Sequence, residues 1–217
     1  MLDAAFIFDL DGTLVDSEKE IRRVMNLCLA KLGCTPVSST DFDTCRGLSM
    51  SRRLQMMFPH WSDKTLRSFR REFGQIYEDS VTRCSPYDGV DEVLHYLGDR
   101  AVIATNRPKH LVETALAELG WNDICFFAPN NRTEAKPSPI LFCRAEQLLK
   151  QRFGDVPIFA VGDSPADEQG AQKAGLDFVP VGWGTVSACP VGINSWFEFY
   201  QLIKQNESGG LRVYLGS

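Results

Sequence analysis

Short, unbroken apolar runs recur along this chain, and most of them end at a polar group. Phe6-Ile7-Phe8 runs into Asp9, Ala101–Thr105 into Asn106, and Ile158–Val161 into Gly162-Asp163; Ile124–Phe127 and Phe178–Val181 have the same character. Apolar runs this short suit strands covered on both faces, as in a parallel sheet. Segments of helical spacing lie between them: Val90–Leu97, Pro108–Leu119 closed by Gly120, and Pro139–Arg152 with Ser138 as its cap. Pro165–Ala174, closed by Gly175, and Trp196–Lys204, opened by a Ser195/Glu198 capping box, complete the series. This alternation predicts right-handed βαβ units and a doubly wound parallel sheet of about five strands, an α/β fold.

One stretch departs from the alternation. Ser17 with Glu20 reads as a capping box, followed by Ile21, Val24, Leu27, Cys28 and Leu32 at helical spacing. Residues 39–58 predict one or two short helices. Ser62 can cap a longer one to about residue 82, with Leu66, Phe69, Phe73, Ile76 and Tyr77 on one face. Ser85-Pro86-Tyr87-Asp88-Gly89 then breaks the chain. The expected organisation is a core domain of residues 1–16 and 87–217 with an all-helical domain, 17–86, inserted in it. The Gly-rich stretch after Asn206 carries no assignable pattern.

Composition narrows the function. No apolar run approaches the roughly 18 residues a membrane span needs, and Asp3 stands where a signal peptide would be basic. The seven cysteines form no CxxC pair and read as reduced thiols, mostly small core residues, of a cytoplasmic protein. A net charge of −5 argues against nucleic acid as a main partner. Yet residues 17–86 hold 12 Lys+Arg against 8 Asp+Glu, leaving 11 of the 23 basic and 20 of the 28 acidic residues to the rest. A basic insert on an acidic chain suits an anionic ligand between the parts; a solvated helical surface gives the same count.

The strand ends carry the chemistry. In a parallel sheet their carboxyl ends share one edge, so Asp9, Asp11, Thr105, Asn106, Asp163 and Asp167 can converge, with Lys136 in a neighbouring loop. Acids at i and i+2 repel unless a cation lies between them, and carboxylates with little else suit Mg²⁺. A hydroxyl, an amide and an ammonium suit the remaining oxygens of a phosphoryl group, and a spare carboxylate can attack phosphorus.

Asp9-Leu10-Asp11-Gly12-Thr13, Thr105-Asn106, Lys136-Pro137-Ser138-Pro139 and Gly162-Asp163-Ser164-Pro165-Ala166-Asp167, in this order, resemble the motifs of the haloacid dehalogenase superfamily of phosphotransferases. The helical insert resembles the C1-type cap of its phosphoglycolate phosphatase-like branch. The resemblance implies a Mg²⁺-dependent phosphatase acting on a small phosphate ester through an aspartyl-phosphate, as a monomer or weak homodimer. It implies Asp9 as nucleophile and metal ligand, and Asp11 as proton carrier that lends the metal a backbone carbonyl. Thr105 and Asn106 would hold phosphoryl oxygens, and Lys136 would neutralise charge. Asp163 would bind Mg²⁺, and Asp167 would bind it directly or through water or Lys136. In the cap, Arg46, Arg52 and Arg53 are candidates for an anionic leaving group, with a structural role for each as the alternative; adjacent arginines on a helix diverge, so at most one of the last two faces it.

Competing readings are weaker. An EF-hand loop starting at Asp9 would need glycine where Leu14 stands, and a helix before it. Gly182-Trp183-Gly184 lacks the third glycine and the helix of a dinucleotide site. The dehalogenases lack the second aspartate. The β-phosphoglucomutases carry a cap-helix histidine where Ile21 stands and a basic residue where Met50 stands. A non-catalytic phosphate-binding protein would be expected to lack one of the four motifs.

Overall fold

The computed structural model describes residues 2–45, 48, 50–78, 85–183 and 192–205, and the chain forms two compact units, Met1–Asp16 with Pro86–Ser217, and Ser17–Ser85. In the first, β1 (Ala5–Phe8), β4 (Ala101–Ala104), β5 (Cys125–Phe127), β6 (Ile158–Gly162) and β7 (Asp177–Pro180) make one parallel sheet in the order β5-β4-β1-β6-β7. Two-residue strands, β2 (Val15–Asp16) and β3 (Ser85–Pro86), mark where the chain leaves and re-enters this unit. Exit and return lie side by side, for the Tyr87 N–H donates to the Leu14 carbonyl at 3.0 Å.

The alternation of side chains along β1 sorts the core into two layers. Ala5 and Ile7 join Val102, Ala104 and Ala160 on one face, under α7 (Ile140–Phe153) and α8 (Pro165–Ala174). Phe6 and Phe8 turn to the other face, where α9 (Trp196–Gln205) supplies aromatic partners. Phe6 meets Phe199 edge-on at 5.2 Å, and Phe8 meets Trp196 at 5.7 Å. Helix α5 (Val90–Leu97) packs beside α9, and α6 (Lys109–Leu119) buries Leu111, Val112, Ala115 and Leu116. Both faces are covered, which is why the strands read as continuous apolar runs.

The second unit consists of α1 (Glu18–Lys31), α2 (Ser39–Asp43), α3 (Met50–Met57) and α4 (Asp63–Glu78). Val24, Met25, Cys28, Leu29, Phe42, Leu54 and Phe69 form its core. Arg53 is buried inside it. Its guanidinium donates to both Glu18 carboxylate oxygens (2.7 and 2.5 Å) and to the Leu48 carbonyl (2.8 Å), and lies 4.7 Å from the Phe42 ring centre. Arg53→Ala should therefore destabilise the chain by about 3–5 kcal/mol, because it strands a buried carboxylate. Urea unfolding measures this; replacing Arg53 by Met and Glu18 by Gln together should recover most of the loss.

Some local expectations give way. The Ser17 side chain makes no capping hydrogen bond, and Glu20 instead grips Arg23 at 2.8 and 2.7 Å. Pro139, not Ser138, occupies the N-cap of α7. Of the cysteines, Cys28 and Cys45 are buried, Cys34 and Cys125 half-buried and Cys143 exposed, so thiols are less confined to the core than expected. Cys84 and Cys189 lie outside the described residues. Among those residues no helix is long and apolar enough to cross a membrane.

Candidate active site

The sheet order decides where the site lies. Strands β4 and β5 stand on one side of β1, β6 and β7 on the other. The connections leaving β1 and β6 therefore diverge, opening a crevice at their carboxyl ends. Asp9 follows β1, its N–H bound to the Val161 carbonyl at 2.9 Å, and Asp163 follows β6.

Two glycines let these segments approach. Gly12 has φ +84°, and a Cβ there would lie 2.5 Å from Asp163 Oδ2. A Cβ at Gly162 would lie 2.6 Å from the Cβ of Asp167. Side chains at either position would force the acids apart.

Asp9, Asp163 and Asp167 are buried, and one carboxylate oxygen from each lies within 4.8 Å of the others. Lys136 Nζ spends its three protons on Asp9 Oδ1 (2.5 Å), Asp167 Oδ1 (2.5 Å) and the Ala104 carbonyl (2.9 Å). Asp167 works twice, since its Oδ2 accepts from the N–H and hydroxyl of Ser164 in the capping box that opens α8. The Thr13 hydroxyl lies 3.4 Å from both Asp9 Oδ2 and Asp163 Oδ1.

Burial pushes the Asp9 carboxyl up to about 7; Lys136 opposes this, and the Asp167 and Asp11 charges add to it. Burial alone would lower Lys136, but the charges of Asp167 and Asp9 and their hydrogen bonds hold it above the ordinary lysine range. Lys136 thus stays an ammonium and offsets only part of the negative charge. The surplus of hard oxygen donors fits a divalent cation such as Mg²⁺.

The other strand-end residues take distinct places. The Asn106 amide accepts from the Lys136 N–H (2.7 Å) and donates to its carbonyl (3.1 Å), so this side chain shapes the Lys136 loop. Thr105 Oγ1 accepts from the Arg107 N–H at 3.1 Å, which leaves the hydroxyl proton to be donated elsewhere. The Asp11 carboxylate stands apart from the three-acid cluster and is held by Arg107, Nε to Oδ2 at 3.0 Å and Nη2 to Oδ1. Arg107 escaped the sequence reading, although it directly follows Thr105-Asn106. Trp183, which the sequence offered only within a rejected dinucleotide pattern, donates its Nε1 proton to the Gly12 carbonyl at 2.9 Å while its ring packs against Tyr87 and Trp196.

The candidate cap arginines divide. Arg53 is committed to Glu18, Arg52 is exposed on α3, and Arg46 lies outside the described residues.

Comparison with known proteins agrees with this geometry. Residues 6–181 match the family of haloacid dehalogenase-like hydrolases. A phosphoglycolate phosphatase of Xylella fastidiosa (strain Temecula1) is 32% identical over 186 residues, covering 82% of this chain and 80% of that protein. One of Chromobacterium violaceum is 29% identical over 219 residues, covering 92% and 96%. Among solved structures, a HAD-superfamily hydrolase of subfamily IA from Geobacter sulfurreducens superposes with a TM-score of 0.68 at 21% identity, covering 93% of this chain and 96% of that one. Sheet order, converging acids and a sequence match over most of the length lead to one conclusion: the chain belongs to the haloacid dehalogenase-like hydrolases.

Proposed function

We propose that this protein is a cytoplasmic Mg²⁺-dependent phosphatase that hydrolyses a small phosphorylated metabolite, phosphoglycolate or a related monoester, through an aspartyl-phosphate. The observation that carries the reading is the convergence of Asp9, Asp163, Asp167 and Lys136 at the divergence of β1 and β6. The relatives from Xylella fastidiosa and Chromobacterium violaceum, which match over most of the chain, are phosphoglycolate phosphatases, and this supports the substrate class.

In this mechanism Asp9 attacks phosphorus through one carboxylate oxygen. Lys136 stays charged throughout and offsets the negative charge gathered at Asp9 and the phosphoryl group. Thr105 donates its hydroxyl to a phosphoryl oxygen, and Asn106 keeps the Lys136 loop in place. Asp11 gives a proton to the leaving oxygen and then takes one from the water that cleaves the aspartyl-phosphate. Mg²⁺ would be held by Asp9, Asp163, the Asp11 carbonyl and Asp167, directly or through water, and would neutralise charge on the transferred group.

The test is phosphate release from phosphoglycolate and a panel of monoesters. Activity should vanish with a chelator and return with Mg²⁺. Because the metal competes with a proton on Asp9, the Mg²⁺ concentration for half activity should fall as pH rises from 6 to 8, by at most about tenfold per unit below pH 7. No release from any ester with Mg²⁺, Mn²⁺ or Co²⁺ would reject the reading.

A further inference from the structure

Every titratable group just described has a role except the one bound to Asp11. We propose that Arg107 is a positioning residue that sets the orientation of the proton-carrying Asp11 carboxylate and ties it to the residue that holds the phosphoryl group. This inference rests on the phosphatase reading above.

The geometry is a fork. Two guanidinium nitrogens reach the two Asp11 oxygens, which fixes the plane of the carboxylate as well as its position. Arg107 is fixed in turn. Its side chain is only 1% exposed, and its N–H is bound to Thr105 Oγ1. Thr105 itself is anchored to β5 through the Phe127 carbonyl at 3.0 Å. The chain of contacts therefore runs from strand end to strand end, linking the hydroxyl that meets phosphate to the acid that meets the leaving group.

The exposure of the pair is unequal. Asp11 keeps 27% of its side chain open while the arginine is enclosed. An ion pair serving only the core would enclose both partners. Here the arginine is sequestered and the carboxylate presented. Lysine could not replace it fully, since an ammonium is a point charge that does not define a plane.

The expected consequence depends on the leaving group. A misplaced general acid costs most where the departing oxygen is strongly basic, as in phosphoglycolate, and little where it is a good leaving group, as in p-nitrophenyl phosphate. Arg107→Gln should lower kcat/KM for phosphoglycolate about 30-fold and for p-nitrophenyl phosphate at most about threefold. Arg107→Lys should show the same selectivity at about fivefold, a partial rescue. In an Asp11→Asn background, Arg107→Gln should cause no further loss on phosphoglycolate, because both changes remove one unit.

The lysine variant decides the matter if the glutamine variant fails to fold by circular dichroism. Equal losses on both esters, or losses that multiply with Asp11→Asn, would overturn the proposal and leave Arg107 a scaffold residue. Failure of the wild-type protein to hydrolyse either ester is a different result; it would strike the phosphatase reading itself.

Discussion

Asp9→Asn should abolish steady-state turnover, lowering kcat by at least about 10⁴-fold, while the chain stays folded. An amide oxygen at this position cannot form the acyl-phosphate, and no neighbouring acid is placed to substitute. Asp163 and Asp167 are committed to the same cluster, and Asp11 is held by Arg107. The fold should tolerate the change because the native carboxylate is itself a burden, buried and pushed up to about 7. A neutral amide of the same shape removes that cost while still accepting a hydrogen bond from Lys136. Acid-quenched single-turnover assays with radiolabelled substrate give the direct measurement. Wild type should retain label covalently and the variant none. Labelled protein in the variant, or appreciable phosphate release, would assign the nucleophile elsewhere.

Lys136→Met should destabilise the core unit strongly. The ammonium satisfies two buried carboxylates and a backbone carbonyl, so its removal leaves all three short of a donor at once. A stranded buried charge of this kind costs about 3–5 kcal/mol. The cost should depend on pH. Lys136 is the group that opposes the rise of Asp9, so without it Asp9 binds its proton still more tightly. A carboxyl raised in the folded state stabilises the fold while protonated, and that stability is lost as pH rises through its folded value. The deficit of the variant should therefore be smaller near pH 6 than near pH 8. Urea midpoints at the two pH values test this, and a deficit independent of pH would show that Asp9 does not titrate as the burial argument requires. Activity should fall about 10²- to 10³-fold, because the offset to charge at the reacting centre is gone.

What the sequence disclosed followed from the nature of the signals. The strands of the sheet were legible because each is covered on both faces and reads as a short apolar run. The acids at the ends of β1 and β6 were legible because strand direction in a parallel sheet sends them to one edge. Local side-chain competition was less visible. Ser17 and Ser138 have the right residue type for caps, but Glu20 turns to Arg23 and Pro139 takes the N-cap. The fork between Arg107 and Asp11 was not legible at all, since it joins residues 96 apart and leaves no periodic trace. Arg53 was ambiguous between ligand and scaffold for the same reason. A basic residue in an anionic-ligand setting suggested substrate, whereas its partner is Glu18, 35 positions away.

The hydrogen bond between Leu14 and Tyr87 has an evolutionary consequence. The two lips of the gap in the core already touch, so whatever is threaded between them needs only to begin and end at one point. Helices of any number or length satisfy that condition without disturbing the strands that carry Asp9 or Asp163. Selectivity can therefore drift between lineages by exchange at a single doorway, while the reacting groups stay in place.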